Sequence, residues 1–377
     1  MSALNEEQIL LRDSAKAWVR EKAPVTALRS LRDSGSSDGF DHAVWREMCA
    51  MGWAGVLIPE EFGGSGLGYR TLGLVLEETG RTLTASPLLS TALVGASALV
   101  LGGNAQKEKW LPKIAEGKTI AALAVDEEAH HTPENVALKA TKSGSGYSLS
   151  GNKRYVPDGG AADLVIVAAR TGGKAGDKNG ITLFLVEGSA KGLSRQSLHS
   201  VDSRGVANLA FDKVEAGGDA VLGTVDHGLD LLDKVLDRAR AGLAAEMLGA
   251  AAQSFEITLD YLKTRTQFGQ AIGTFQALQH RAAKMFTELE LTRSCVEAAL
   301  DAIDRNANDV PALASLAKAR AGDLWHLVSN EMVQMHGGIG MTDDHDAGLY
   351  LKRARVAEAL YGNSTFHRDR YASLMGY

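Results

Sequence analysis

The spacing of apolar and polar positions changes character twice along the chain. Up to about Gly117 apolar residues recur at helical intervals. Ile9, Leu10, Ala17, Trp18 and Val19 form one stripe, and Val44, Met48 and Met51 form another. From Thr119 to about Gly223 the pattern becomes short β-rich runs at Ile120–Val125, Tyr147–Ser150, Leu164–Ala169, Ile181–Val186 and Asn208–Phe211. Turn residues at Gly151-Asn152, Thr171-Gly-Gly173 and Asn179-Gly180 separate these runs. From Leu229 onward the helical period returns over 229–264, 275–304, 311–335 and 346–361, with Pro311 at a helix start. The pattern predicts an α+β chain: an N-terminal helical domain (1–118), a central antiparallel barrel-like or sandwich domain (119–225) and a C-terminal helical domain (226–377).

Two stretches resemble features that their surroundings argue against. The uncharged run from Thr82 to Gln106 contains Pro87 and many small residues, so a buried helix is expected rather than a membrane span. Gly64-Ser-Gly-Leu-Gly68 follows a proline-bearing loop and not a hydrophobic strand. It therefore reads as a helix-connecting turn and not a dinucleotide loop.

Composition narrows the function. With 377 residues, two or three domains are expected. An apolar content of 45%, a charged content of 23% and a net charge of −6 describe an ordinary globular chain with no bias toward nucleic acid or anionic membrane. The acidic, amphipathic start reads as neither a signal nor a transit peptide, so a cytoplasmic location is expected. Cys49 and Cys295 are far apart and in no metal or redox spacing, and both are expected to be buried thiols. His130-His131 would point to opposite faces of a strand, so no metal chelate is expected.

The candidate chemistry lies near the C-terminus. Arg265-Thr-Gln-Phe-Gly-Gln270 offers a guanidinium fork for a diphosphate and an aromatic ring for a base. Gln334-Met-His-Gly-Gly338 offers bare glycine amides that allow close backbone approach. On spacing alone, Asp237 and Arg240 are a same-face helical pair, equally readable as a solvated ion pair.

Together with Ile58-Pro-Glu-Glu-Phe-Gly-Gly64, Trp110-Leu-Pro-Lys-Ile-Ala-Glu-Gly117, Gly151-Asn-Lys153 and Val221-Leu-Gly223 in the same order, these segments resemble the acyl-CoA dehydrogenase family along the whole chain. The resemblance implies a C-terminal four-helix bundle, tetrameric assembly (homo- or hetero-), FAD as cofactor, an acyl-CoA substrate and electron-transfer flavoprotein as acceptor. It also implies cofactor contacts from Arg265, Gln267, Phe268, Gln334, Gly337, Gly338 and Tyr155, and substrate contacts from Asp237 and Arg240.

The sequence departs from the family at three places. Val125-Asp-Glu-Glu stands where a flavin-contacting hydroxyl is usual, which sets a carboxylate beside the flavin. Tyr155-Val-Pro-Asp158 replaces a Trp-Ile-Thr-Asn stretch. The family's two base positions fall on Tyr361 and Ala239, neither of which is a carboxylate. Glu246 shares the Ala239 face but lies roughly 10 Å further along the helix. The resemblance therefore implies FAD-dependent α,β-dehydrogenation of a fatty or steroid-side-chain acyl-CoA, with this chain as the base-lacking subunit of a hetero-oligomer. The alternatives are a flavin-dependent oxidase or monooxygenase of the same fold, and a non-catalytic scaffold.

Overall fold

The computed structural model describes residues 4–377. The N-terminal part is helical: α1 (Glu6–Lys22), α2 (Val25–Ser34), α3 (His42–Ala50) and α4 (Gly68–Arg81), a π-helical stretch at Leu88–Gly95, then α5 (Ala96–Val100) and α6 (Asn104–Ala115). The middle contributes β1 (Ala121–Ala124), β2 (Lys139–Ser143), β3 (Gly146–Pro157), β4 (Leu164–Arg170), β5 (Ile181–Glu187), β6 (Leu193–Ser197), β7 (Val206–Ala216) and β8 (Val221–Leu222). The C-terminal part carries α7 (Gly228–Thr264), a small hairpin of β9 (Thr266–Gln267) and β10 (Gln270–Ala271), α8 (Gln276–Asp304), α9 (Val310–His336), α10 (Ala347–Ala359) and α11 (Ser364–Leu374).

The central sheet is open rather than barrel-like. Its strand order is β6-β7-β3-β2-β4-β5-β8, with β1 pairing β4 off this path, and no closure joins β6 to β8 among the described residues. Nor is the sheet wholly antiparallel: β1 runs parallel to β4, with Ala121 opposite Leu164. β1 and β4 are buried along their whole length, so both read as continuous apolar runs. Phe184, Leu209, Phe211, Val165 and Val167 form the centre of the core on this sheet.

Two expectations need correction. On α1 the buried face is Ala15 and Val19, whereas Ile9 and Leu10 are exposed. The two cysteines are free but only partly buried, and burial pushes the Cys49 thiol up to about 12. The uncharged stretch is buried, as expected, but its first half is wound as a π-helix. No helix among the described residues is long and apolar enough to cross a membrane.

The chain forms two compact units that interleave in sequence. The first comprises Met1–Arg29, Tyr69–Thr84 and Arg240–Tyr377; the second comprises Ser30–Gly68 and Ala85–Ala239. Within the first unit, α4 and α7 cross at contact distance. A Cβ at Gly249 would lie 1.8 Å from the Glu77 carbonyl oxygen, and one at Gly80 would lie 2.1 Å from that of Glu246. Glycine at both positions lets the two backbones meet.

Candidate active site

In the first unit, the two C-terminal motifs are brought together by the Tyr261–His336 pair. Tyr261, one turn before Arg265, packs its ring 4.3 Å from that of His336. Its hydroxyl donates to the His336 carbonyl at 3.4 Å. His336 immediately precedes Gly337. Its Nδ1 donates to Met332 O at 2.7 Å, and its ring also stacks 4.2 Å from His345. Burial holds His336 below the usual histidine range, so the stacked imidazole is neutral near pH 7.

The clamp residues face outward. The β9–β10 hairpin turns through Phe268 at φ +54° and Gly269 at φ +78°, and it presents the Phe268 ring 90% exposed. The Arg265, Gln267 and Gln334 side chains are exposed as well. A Cβ added at Gly337 or at Gly338 would meet nothing within 4 Å. An unscreened guanidinium, a bare ring and open glycine backbone fit a flat aromatic group joined to a diphosphate.

In the second unit, strand irregularity positions the other candidate. The register of β3 against β7 shifts between Lys153 and Val156, where β3 holds one extra residue. Such a bulge re-aims a side chain. Tyr155 sits in it at φ +52° and half exposed, with its N–H donating to Asn208 Oδ1 at 3.2 Å. The neighbouring Arg154 N–H donates to Asp126 O at 2.7 Å, which brings the loop after β1 to the bulge.

That loop also answers the difficulty of a carboxylate at position 126. Asp126 is gripped by His131 Nδ1 at 2.9 and 3.0 Å, with the imidazole buried. The segment is a loop and not a strand, so His130 and His131 are not fixed on opposite faces as expected; His130 is simply exposed. No group of three or more His, Cys, Asp or Glu converges among the described residues.

Sequence reasoning passed over Glu127 and Lys153. Lys153, fully buried, donates to Glu127 Oε1 at 2.7 Å and Val125 O at 2.8 Å. Glu127 also accepts from the N–H groups of Ala137 and Leu138. Burial pushes the Lys153 amine down, and Glu127 opposes that shift. The sequence holds a signal for this pair. Lys153 directly follows the Gly151-Asn152 punctuation, within a strand whose neighbouring polar positions already supply an exposed face.

The two positions at which the sequence leads one to expect a base, Ala239 and Tyr361, hold no carboxylate. Ala239 is fully buried, and Tyr361 is buried in a turn at φ +58°. Glu246 is held by Arg353, with Nε to Oε1 at 3.0 Å. Another buried carboxylate, Glu78 on α4, is pushed up by burial, but it lies among Arg81, Glu77, Lys16 and Arg20. Arg240 is fully buried; its Nε donates to Tyr361 O at 3.2 Å, and its guanidinium stacks on Phe366 at 5.4 Å. Asp237, three residues earlier on α7, is also buried.

Helical terminal parts and a mostly antiparallel central sheet, with the exposed Arg265, Phe268 and Gly337 segments, suit a nucleotide-binding enzyme. Comparison with known proteins gives the family. Residues 5–118, 122–214 and 226–375 match the N-terminal, middle and C-terminal domains of acyl-CoA dehydrogenase. The chain is similar to the mitochondrial isovaleryl-CoA dehydrogenase of Pongo abelii, at 33% identity over 98% of this chain and 88% of that protein. It is also similar to acyl-CoA dehydrogenase IpdE2 of Mycolicibacterium smegmatis, at 32% identity over 95% and 96% of the two chains. Among solved structures, the Tcur3481-Tcur3483 steroid ACAD superposes with a TM-score of 0.89 at 32% identity, covering 98% of each chain. The chain belongs to the acyl-CoA dehydrogenase family. It is an oxidoreductase acting on acyl-CoA, and its cofactor is FAD.

Proposed function

We propose that this chain takes part in α,β-dehydrogenation of an acyl-CoA thioester as the subunit that supplies a nucleotide clamp, while a partner subunit carries the proton-abstracting carboxylate. One contrast carries the reading. The residues around Arg265, Phe268 and Gly337 are exposed and open to a ligand, yet Tyr361 and Ala239 are not carboxylates and Glu246 is locked to Arg353.

FAD, when bound, supplies the two-electron acceptor for the hydrogen leaving the β-carbon. The residues of this chain do the rest of what it contributes. Arg265 neutralises diphosphate charge, with Gln267 and Gln334 as hydrogen-bonding neighbours, and Phe268 gives the base a stacking face. Gly337 and Gly338 allow backbone approach. Tyr155, turned out by its bulge, covers an aromatic face. His131 Nδ1 hydrogen-bonds the Asp126 carboxylate there.

Asp237 and Arg240 are assigned to the thioester end, with Arg240 acting through the Tyr361 carbonyl that it holds. The steroid and isovaleryl designations of the relatives favour a branched or steroid-side-chain acyl group over a long linear one. The remaining assignments are a C-terminal four-helix bundle, domain limits at 118/119 and 225/226, electron-transfer flavoprotein as acceptor and a hetero-tetrameric assembly in the cytoplasm.

Expression of the chain alone and together with family members encoded nearby tests the reading. Acyl-CoA should bleach the flavin only in the mixed assembly. A homo-oligomer of this chain with one flavin per subunit and full turnover would refute it.

A further inference from the structure

Three buried nitrogen-bearing side chains from three helices converge on the carbonyl oxygens of one short segment. Lys318 on α9 directs Nζ to Glu358 O and to Gly362 O, each at 2.9 Å. Arg240 on α7 reaches Tyr361 O at 3.2 Å, and His367 on α11 reaches the same oxygen through Nε2 at 3.1 Å. His367 is set for this by Ser315, whose hydroxyl lies 3.5 Å from Nδ1 and accepts from Arg370.

Carbonyls at a helix C-terminus lack intrahelical donors and are commonly left to water. Here Tyr361 and Gly362 are buried, and the backbone of both is strained. Tyr361 holds φ +58°, which a bulky residue rarely adopts. Gly362 holds φ +104°, and a Cβ there would lie 2.4 Å from the Phe366 ring. Such a conformation persists only when its surroundings over-determine it.

Lys318 is the costly member of this set. It shares a buried face of α9 with Ala314, Ser315, Ala321 and Gly322, with essentially no exposure. Burial pushes its amine down to about 7; Glu358 opposes the shift, and Arg240 and Arg353 add to it. Once neutral, the amine still has two N–H donors, enough for the two carbonyls it holds. A lysine serving only to cap α10 would keep its ammonium in solvent.

We propose that Lys318 is a positioning residue for position 361, fixing the Glu358–Gly362 backbone so that the side chain at 361 enters the acyl site in one orientation. The inference rests on the reading above that this turn borders the thioester.

The test uses the flavin-loaded homo-oligomer, in which no partner carboxylate contributes, and three variants: Lys318→Met, which removes the donors, Lys318→Gln, which keeps two, and Tyr361→Glu, which places a carboxylate on the turn. Hydrogen exchange is read at the Leu360 and Gly362 amides, which bond Val356 O and Ala359 O. Exchange should quicken about tenfold in Lys318→Met and stay near the unsubstituted rate in Lys318→Gln. Adding Lys318→Met to Tyr361→Glu should lower kcat for acyl-CoA-dependent flavin bleaching by about tenfold or more, with KM little changed. Unchanged exchange overturns the proposal. So does faster exchange with an unaltered kcat in the double variant, which would make Lys318 structural only. A Tyr361→Glu variant with no turnover at all instead rejects the placement of the turn at the thioester, and the proposal goes with it.

Discussion

Arg353 binds Glu246 in a two-pronged pair, Nε to Oε1 at 3.0 Å and the terminal nitrogen to Oε2 at 3.1 Å, with both side chains buried. A carboxylate held this way is poorly suited to accept a proton, because protonation would strand a buried guanidinium. Glu246→Gln should therefore cost about 3 kcal/mol of stability while changing the flavin-bleaching rate of the folded assembly less than about twofold. Denaturant melts paired with stopped-flow absorbance check this. A rate loss of several orders of magnitude would make Glu246 the base after all.

The Tyr361 position gives the converse experiment. A glutamate there, on a turn already held by Lys318, Arg240 and His367, should give the chain its own proton acceptor. General-base gains are about 10²–10⁴-fold, so Tyr361→Glu should raise acyl-CoA-dependent flavin reduction by at least about 10²-fold over the unsubstituted homo-oligomer. No gain in single-turnover rate would place this turn away from the thioester.

Loss of the Arg265 guanidinium removes the positive charge from the clamp. Charge-assisted hydrogen bonds contribute about 1.5–3 kcal/mol, so Arg265→Ala should weaken FAD retention by roughly 10- to 150-fold. The ratio of flavin absorbance to protein absorbance after gel filtration reports it. Unaltered flavin content in the assembly would support a scaffold role instead.

Lys318 sets a pH dependence with a definite sign. Its folded value is about 7, whereas an unfolded lysine titrates near about 10.4. Between those values the unfolded chain holds more protons, so stability rises with pH across that window, by up to about 1.4 kcal/mol per pH unit. The cost of burying the charge is fully present below pH 7. Chemical denaturation between pH 6 and 10 should show this slope, and Lys318→Gln should flatten it. Parallel slopes for both proteins would exclude the assignment.

At the helix crossing, Gly249→Ala should destabilise the chain by about 1–3 kcal/mol, since its Cβ would lie 1.8 Å from Glu77 O. A thermal melt suffices. An unchanged Tm would mean that α4 and α7 separate at little cost.

Strands with both faces buried were legible in the sequence. Leu164–Ala169 and Ile181–Val186 each fall within one residue of β4 and β5, because continuous apolar runs have no other home in a sheet. β2, reading Lys-Ala-Thr-Lys-Ser, and β6, reading Leu-Ser-Arg-Gln-Ser, were invisible. Their side chains are largely exposed, and hydrogen bonds to neighbouring strands, β3 and β4 for β2 and β7 for β6, make them strands. α11 was missed for a similar reason, since it buries only Ser364 and His367. The clamp is a candidate in the sequence because glycine, arginine and phenylalanine each carry distinctive chemistry, and the structure shows these residues exposed. The bonds around Tyr361 could not be read, because their acceptors are backbone oxygens that every residue possesses. Closure of the sheet was misjudged because alternation along single strands says nothing about whether the first and last strands meet.

The extra residue in β3 has a consequence for how this protein can diverge. Tyr155 projects outward because of the residue count between Lys153 and Val156, as much as because of its own identity. Deleting one codon there would restore a regular ladder against β7 and turn the segment over, even if a tyrosine remained in the sequence. Lineages of this fold can therefore lose the outward tyrosine in a single indel that leaves every neighbouring letter intact, and residue-by-residue comparison would score the position as preserved.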